Sequence, residues 1–289
     1  MPTKIEKDDV TGQMTTGHEW DGLQELNRPL PKWWVYVFMA CVAWSMVYFV
    51  LYPSFPGITG YFHGVIGYYQ RDAVDADVAA IAQQRAGAMD RIKALSFADI
   101  RKDPQLLAVA QTAGRITFAE NCQPCHGAGG GGNLGFPALA AGNWLWGGKL
   151  EDIQQTVTFG IRSGLDDARN SQMPRFGADA ILKPAEIQAV ADYAASLFDL
   201  PSTGTNLAEG KRVFAENCAV CHGDAGQGNR EVGAPKLAAK THLHGDDRAA
   251  ILAQLNNPRM GVMPNWNARL DAAKIKSVAL YVHSLGGGE

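Results

Sequence analysis

Hydrophobic and polar positions divide the chain into three regimes. Residues 1–31 are polar, with Gly12, Gly17 and Gly22 set among mixed charges, and read as an extended lead. Residues 33–52 then pass without a single charge. As a helix rising 1.5 Å per residue, such a run spans about 30 Å, the thickness of a bilayer core. Trp33, Trp34, Tyr48 and Tyr52 place aromatic rings near both of its ends, as interfacial belts do. The run is too long, starts too late and lacks the small-residue cleavage site of a removed signal peptide, so it reads as a retained anchor. Pro53, Pro56 and Gly57 stop it. Residues 57–69, with Tyr61, Phe62, Tyr68 and Tyr69, are too few to span and read as interfacial. His63 among them reads as a solvated or headgroup-level histidine. Residues 72–95 are rich in Ala and Asp and read as an amphipathic helical spacer.

The third regime is a repeat. Gly114, Phe118, Cys122, Cys125 and His126 recur as Gly210, Phe214, Cys218, Cys221 and His222, every one 96 positions later. Apolar positions at helical spacing follow in each copy, at Ile187, Val190, Tyr193 and Leu197, then at Ile275, Val278, Tyr281 and Leu285. The offset there is 88, so the second copy is eight residues shorter somewhere between. A glycine inside each motif helix implies that another backbone passes close. The expected neighbour of Gly114 is the terminal helix of its own copy, 185–198.

Cys-x-x-Cys-His is the attachment sequence for c-type haem. Two thiols can bond the haem edge while the imidazole reaches the iron. A thioredoxin-type pair needs no histidine, and a zinc module wants its cysteine pairs roughly 15–20 residues apart, far closer than Cys125 and Cys218. Two covalently bound haem c groups, on Cys122, Cys125, His126 and on Cys218, Cys221, His222, are therefore expected. A glycine-rich loop after each motif ends in Pro137 or Pro235. These loops are the expected source of the carbonyl that takes the other ring N–H of each iron-bound histidine.

Each iron needs one more axial ligand. Between His126 and the second motif the only methionine is Met173 and there is no further histidine. After the second motif, Met263 is followed by Pro264 as Met173 is by Pro174, which favours it over Met260, His242 or His244. His/Met ligation raises the reduction potential and closes iron to oxygen, the requirements of electron transfer. Whether a methionine serves the haem of its own copy or of the other is left open at this level.

Charge adds exclusions and an orientation. The formal charge of −3 and the absence of a basic field argue against nucleic acid. Arg28 and Lys32 precede the anchor, whereas the first basic residue beyond it is Arg71, which leaves the N-terminus in the cytoplasm. Haem attachment on the periplasmic side agrees. Four of the five cysteines belong to the motifs, and Cys41, within the anchor, reads as a small buried packing residue. Residues 111–200 carry six basic and nine acidic side chains, and 201–289 carry ten and eight, which suggests an acidic docking face in the first copy around Asp166 and Asp167.

The chain resembles the di-haem subunit III of cbb3-type cytochrome c oxidases. The resemblance rests on the run from His18 to Trp34, with Trp20, Gly22, Glu25, Asn27, Pro29 and Pro31, and on Leu51-Tyr52-Pro53 after the anchor. It implies an all-α chain, one N-terminal transmembrane helix followed by two tandem class I cytochrome c domains. The expected divisions are a cytoplasmic segment at 1–32, the membrane helix at 33–52, an interfacial and spacer segment at 53–105, and haem domains at 106–200 and 201–289. The resemblance further implies a single-pass subunit of a bacterial inner membrane with periplasmic haem domains. Electrons would pass from a donor cytochrome c, through the two haems, to a mono-haem cytochrome c subunit. From there they would reach a catalytic haem b and copper subunit that reduces oxygen and pumps protons. It gives Met173 and Met263 as the distal ligands. The competing functions are a free-standing anchored shuttle, a di-haem peroxidase or sensor with an open iron, and the cytochrome subunit of a periplasmic dehydrogenase.

Overall fold

The computed structural model describes residues 4–198, 200, 206–239 and 242–289, in two compact units divided near residue 82. In the first unit the lead is ordered as an antiparallel hairpin of β1 (Thr15–Trp20) and β2 (Leu23–Leu26). Trp20 pairs with Leu23 across a two-residue turn in which Asp21 and Gly22 both have positive φ, at 50° and 86°. An Asp-Gly turn of this kind matches the twist of its flanking strands, which is why residues 15–26 fold as a hairpin and not as an extended lead.

Helix α1 (Lys32–Leu51) follows directly on Pro31. It ends one residue sooner than the apolar run because Pro53 forces Tyr52 into an extended conformation, φ −113° and ψ 162°. Among the described residues α1 buries no side chain, and it is long and apolar enough to cross a membrane. Cys41 is exposed on it, contrary to the buried packing role expected, because among the described residues no other element covers that face. His63 is exposed and its Nδ1 lies 2.7 Å from the Tyr69 hydroxyl. Helix α2 (Gln70–Ala94) carries Val74, Val78 and Ile81 on one stripe, yet all three are exposed, and only Ile92 near its end is buried.

The second unit holds the repeats. Ser96 caps α3 (Phe97–Lys102), and Asp103 caps α4 (Pro104–Asn121) by accepting from the N–H groups of Gln105 and Leu106 at 3.1 Å. The remaining helices are α5 (Gln123–His126), α6 (Leu150–Phe159), α7 (Pro184–Leu197), α8 (Leu207–Asn217), α9 (Ala219–His222), α10 (Arg248–Asn256) and α11 (Ala272–Ser284).

The motif helices do not pack against their own terminal helices; they exchange them. A Cβ on Gly114 would collide with the Ser277 carbonyl of α11, and one on Gly210 with the Ala189 carbonyl of α7. Phe118 packs on Tyr281 with ring centroids 5.4 Å apart, and Phe214 on Tyr193 at 5.3 Å. The first lobe is therefore α3–α6 closed by α11, its core running from Ile92 to Val157 and then from Ala273 to Val282. The second lobe is one continuous stretch from α7 to α10, with its core between Phe176 and Leu255.

Both terminal helices carry the same apolar pattern, so pattern alone lets either close either motif helix. Connection length decides between them. Only nine residues join α7 to α8, whereas sixty-two separate α4 from α7, so closing α7 on α8 costs less chain entropy. The divisions 106–200 and 201–289 thus mark sequence copies, not packed lobes. Charge redistributes accordingly. Residues 111–170 with 258–289 carry eight basic and seven acidic groups, and 171–257 carry eight and ten, so the first lobe as a whole is not acidic, although Asp166 and Asp167 stay exposed on it.

Candidate haem sites

Each motif sits at the same break in the helix. The Cys122 N–H donates to the Phe118 carbonyl at 2.8 Å and the His126 N–H to the Cys122 carbonyl at 2.9 Å; the corresponding bonds of Cys218 and His222 are 2.8 and 2.9 Å. This turn carries two thiols and an imidazole one helical turn apart, while the glycine-rich loop folds back beneath it. The loop is tied by Gly132 N–H to the His126 carbonyl and by Gly228 N–H to the His222 carbonyl, both at 2.7 Å. Cys122 and Cys218 are buried, and burial pushes both thiols up to about 11.

The two histidines are held as the sequence suggests. His126 Nδ1–H donates to the Pro137 carbonyl at 3.0 Å, and His222 Nδ1–H to the Pro235 carbonyl at 3.1 Å. That leaves the Nε2 lone pair of each ring for a metal. Burial pushes the pKa of both imidazoles down, against the smaller opposing effect of the proline carbonyls, and so favours the neutral, ligating form.

In the first lobe Cys122 and His126 line an apolar cleft of about 80 Å³ together with Phe118, Trp146, Val157 and Met263. His126 and Met263 therefore share a site although they belong to different copies of the repeat. Met173, conversely, packs against the second core with Phe214 and Cys218. Met260, the second choice, is absent from both cores. His242 has both ring nitrogens engaged, Nδ1 by Asp246 at 2.7 Å and Nε2 by the Leu237 carbonyl at 3.2 Å, and its ring lies tilted against Phe198. His244 is half-buried, and its pKa is lowered mainly by that burial.

The donor set fits a haem in each lobe: two cysteines, an imidazole with Nδ1 already occupied, a thioether and apolar walls. A further sign is Arg169, which sequence reasoning missed. Its guanidinium lies 5.5 Å over the Trp146 ring and 3.3 Å from Asp152, yet its buried Nε has no hydrogen-bond partner among the described residues. A buried donor beside the cleft suits the acidic edge of a porphyrin. Trp144, also unforeseen, lines the first cleft and donates to the Gly287 carbonyl beyond α11. Neither lies in a motif that the two copies share.

Comparison with known proteins points the same way. Residues 12–59 match the family described as the N-terminal domain of cytochrome oxidase-cbb3, FixP. Residues 109–193 and 205–282 each match cytochrome c oxidase, cbb3-type, subunit III. The cbb3-type cytochrome c oxidase subunit FixP of Bradyrhizobium sp. (strain ORS 278) is 49% identical across the whole of both chains. Subunit CcoP of Azospirillum sp. (strain B510) is 48% identical over 98% of each chain. Subunit CcoP of Cereibacter sphaeroides is 46% identical over 95% of each.

Proposed function

The chain belongs to the family of cbb3-type cytochrome c oxidase subunit III, and on that premise we propose how its residues carry electrons. As a FixP/CcoP-type subunit it is a membrane-anchored, haem c-binding electron-transfer component of an oxidoreductase complex. The finer reading is two covalent haems. The first is held by Cys122 and Cys125 with His126 and Met263 as axial ligands. The second is held by Cys218 and Cys221 with His222 and Met173. The observation that carries the pairing is the single cleft lined by both His126 and Met263.

Bound haem supplies a one-electron couple, and His/Met ligation raises its potential. The protein's part is positional. Pro137 and Pro235 hold the Nδ1 protons, and so fix the tautomer and orientation of each imidazole. Phe118, Val157 and Val278 in one lobe, and Val213, Phe214 and Leu255 in the other, keep water from the sites and leave little polar response to a change of charge. Oxygen reduction is assigned to a separate haem b and copper subunit, reached through a mono-haem cytochrome c subunit, with a donor cytochrome c at the input. Arg28 and Lys32 before α1 support a cytoplasmic N-terminus and periplasmic haem lobes.

Gentle detergent purification through a tag on this chain tests the reading. Haem b co-purifying with two haem c per chain, with oxygen uptake driven by reduced cytochrome c, is the expected result. Two haem c alone and no oxygen uptake, repeated under milder extraction, would replace it with a free-standing anchored shuttle.

A further inference from the structure

The copies of the repeat differ most just before the methionine. Ile153 and Ile251 hold equivalent buried places in α6 and α10, yet twenty positions separate Ile153 from Met173 and twelve separate Ile251 from Met263. The surplus forms a loop after α6 that closes on itself, with Arg162 N–H donating to the Arg169 carbonyl at 2.8 Å and Arg169 N–H to the Gly160 carbonyl at 3.1 Å. Ile161 pairs with Met263 in both directions, at 2.9 and 3.0 Å. Arg162 follows with φ 51°, a left-handed conformation rare for a residue with a long side chain.

Its guanidinium reaches two places at once. Nε–H donates to the Gly261 carbonyl at 2.8 Å, and Nη1–H donates to the Ser171 carbonyl at 3.0 Å. Gly261 lies two residues before Met263, and Ser171 lies two residues before Met173. One planar, permanently charged fork therefore grips the backbone at the same position of both methionine loops, through charge-assisted bonds.

We propose that Arg162 is a positioning residue for both distal methionines, holding the two loops in one fixed relation so that the two haem sites are tuned together. This rests on the ligand pairing proposed above. It gives the eight-residue surplus a role: it supplies the arm that ties the exchanged halves at the sites where exchange places the ligands. An arginine is needed because lysine offers a point charge with no planar fork.

The test uses the full-length, haem-loaded protein in detergent, and reads the far-red methionine-to-ferric-iron absorption and the reduction potential of each haem. Wild type should show methionine ligation at both haems; its absence at either would overturn the ligand pairing and this inference with it. In Arg162→Ala the band should weaken at both haems, and both reduction equilibria should shift at least tenfold, about 59 mV for one electron. Arg162→Lys should fail to restore at least one of them, and it carries the test if the alanine variant does not load haem. The exposed Arg115→Ala on α4 should match wild type. Unchanged bands and potentials in Arg162→Lys, or a change confined to one haem in Arg162→Ala, would overturn the shared clamp.

Discussion

The exchange of terminal helices makes a quantitative claim that two double-mutant cycles can check. Phe118 is 2% exposed and faces Tyr281 at 5.4 Å with the rings inclined by 58°. A tilted aromatic pair at this separation is worth about 0.5–1.5 kcal/mol beyond the area it buries. Each single substitution, Phe118→Leu or Tyr281→Leu, removes the pair along with other packing. Only the difference between their summed cost and the cost of the double variant isolates the pair. That coupling should come to about 1 kcal/mol, roughly a fivefold change in the unfolding equilibrium. Unlinked sites add to within about 0.3–0.5 kcal/mol, so the signal stands clear of the error.

The informative control is Phe118→Leu with Tyr193→Leu. If each copy of the repeat closed on its own terminal helix, Phe118 would meet Tyr193, and this pair would couple while the first did not. The exchanged structure requires the opposite. Phe214 provides the mirror cycle: it should couple to Tyr193, at 5.3 Å, and not to Tyr281. The assay is denaturant unfolding of the haem-loaded chain, followed through the haem absorption. Coupling of Phe118 to Tyr193, or to neither tyrosine, would refute the helix exchange.

Further outcomes follow from the same geometry. With the second haem removed by Cys218→Ser and Cys221→Ser, Met263→Leu should abolish the remaining methionine band and Met173→Leu should leave it, as read by far-red absorption. Gly114→Ala should destabilise by about 2 kcal/mol, because overpacking costs up to about 3 kcal/mol against a backbone carbonyl that cannot rotate away, and helix propensity returns about 1. Thermal unfolding should show the first haem losing its methionine before the second, and Gly210→Ala should reverse that order. The Asp103 carboxyl is held below its ordinary 3.8, first by the Leu106 N–H and then by Arg91. Its help to α4 is complete above that ordinary value and is lost as pH falls through the lowered one. Acid melts of Asp103→Asn, which keeps an acceptor oxygen for the cap, should lack this dependence.

Much of this arrangement is written in short-range chemistry. The haem motifs, the paired Pro137 and Pro235 carbonyls and the 20-residue apolar helix each depend on residues close together in the chain, and each stands where its pattern indicates. The Asp21-Gly22 hairpin is equally local, but its flanks, Glu19-Trp20 and Leu23-Gln24, alternate too briefly to signal strands. The pairing of helices was a different problem. Ile187, Val190, Tyr193 and Leu197 match Ile275, Val278, Tyr281 and Leu285 position for position, so both pairings bury the same surface. What separates them is the cost of closing chain segments of unequal length, and that is legible only once both helix boundaries are known. Arg162 was hidden for a related reason: its two partners are backbone carbonyls, which have no side-chain signature.

Exchange also changes what a single copy of the repeat can be. In a sequential arrangement, residues 1–200 would contain a complete haem site, and the second copy could be removed without harm to the first. Here that fragment keeps Cys122, Cys125 and His126 but loses Met263 and the helix that covers Gly114 and Phe118. It keeps α7 and Met173 without α8, the motif helix on which they close in the whole chain. Ending the chain after residue 200 should therefore give a haem with no methionine band and an iron open to exogenous ligands, seen as carbon monoxide binding by the reduced fragment. A fragment that retains the band and refuses carbon monoxide would mean that Met173 can serve the first haem. If carbon monoxide binds, His/Met closure at either iron depends on both copies being present. On this pairing the first haem gains its methionine only once the end of the chain has folded, whereas the second draws its ligands from the continuous stretch between Met173 and α10. Closure of both irons suits a relay working next to an oxygen-reducing centre, where a half-finished haem with an open iron would be a site for unwanted oxygen chemistry.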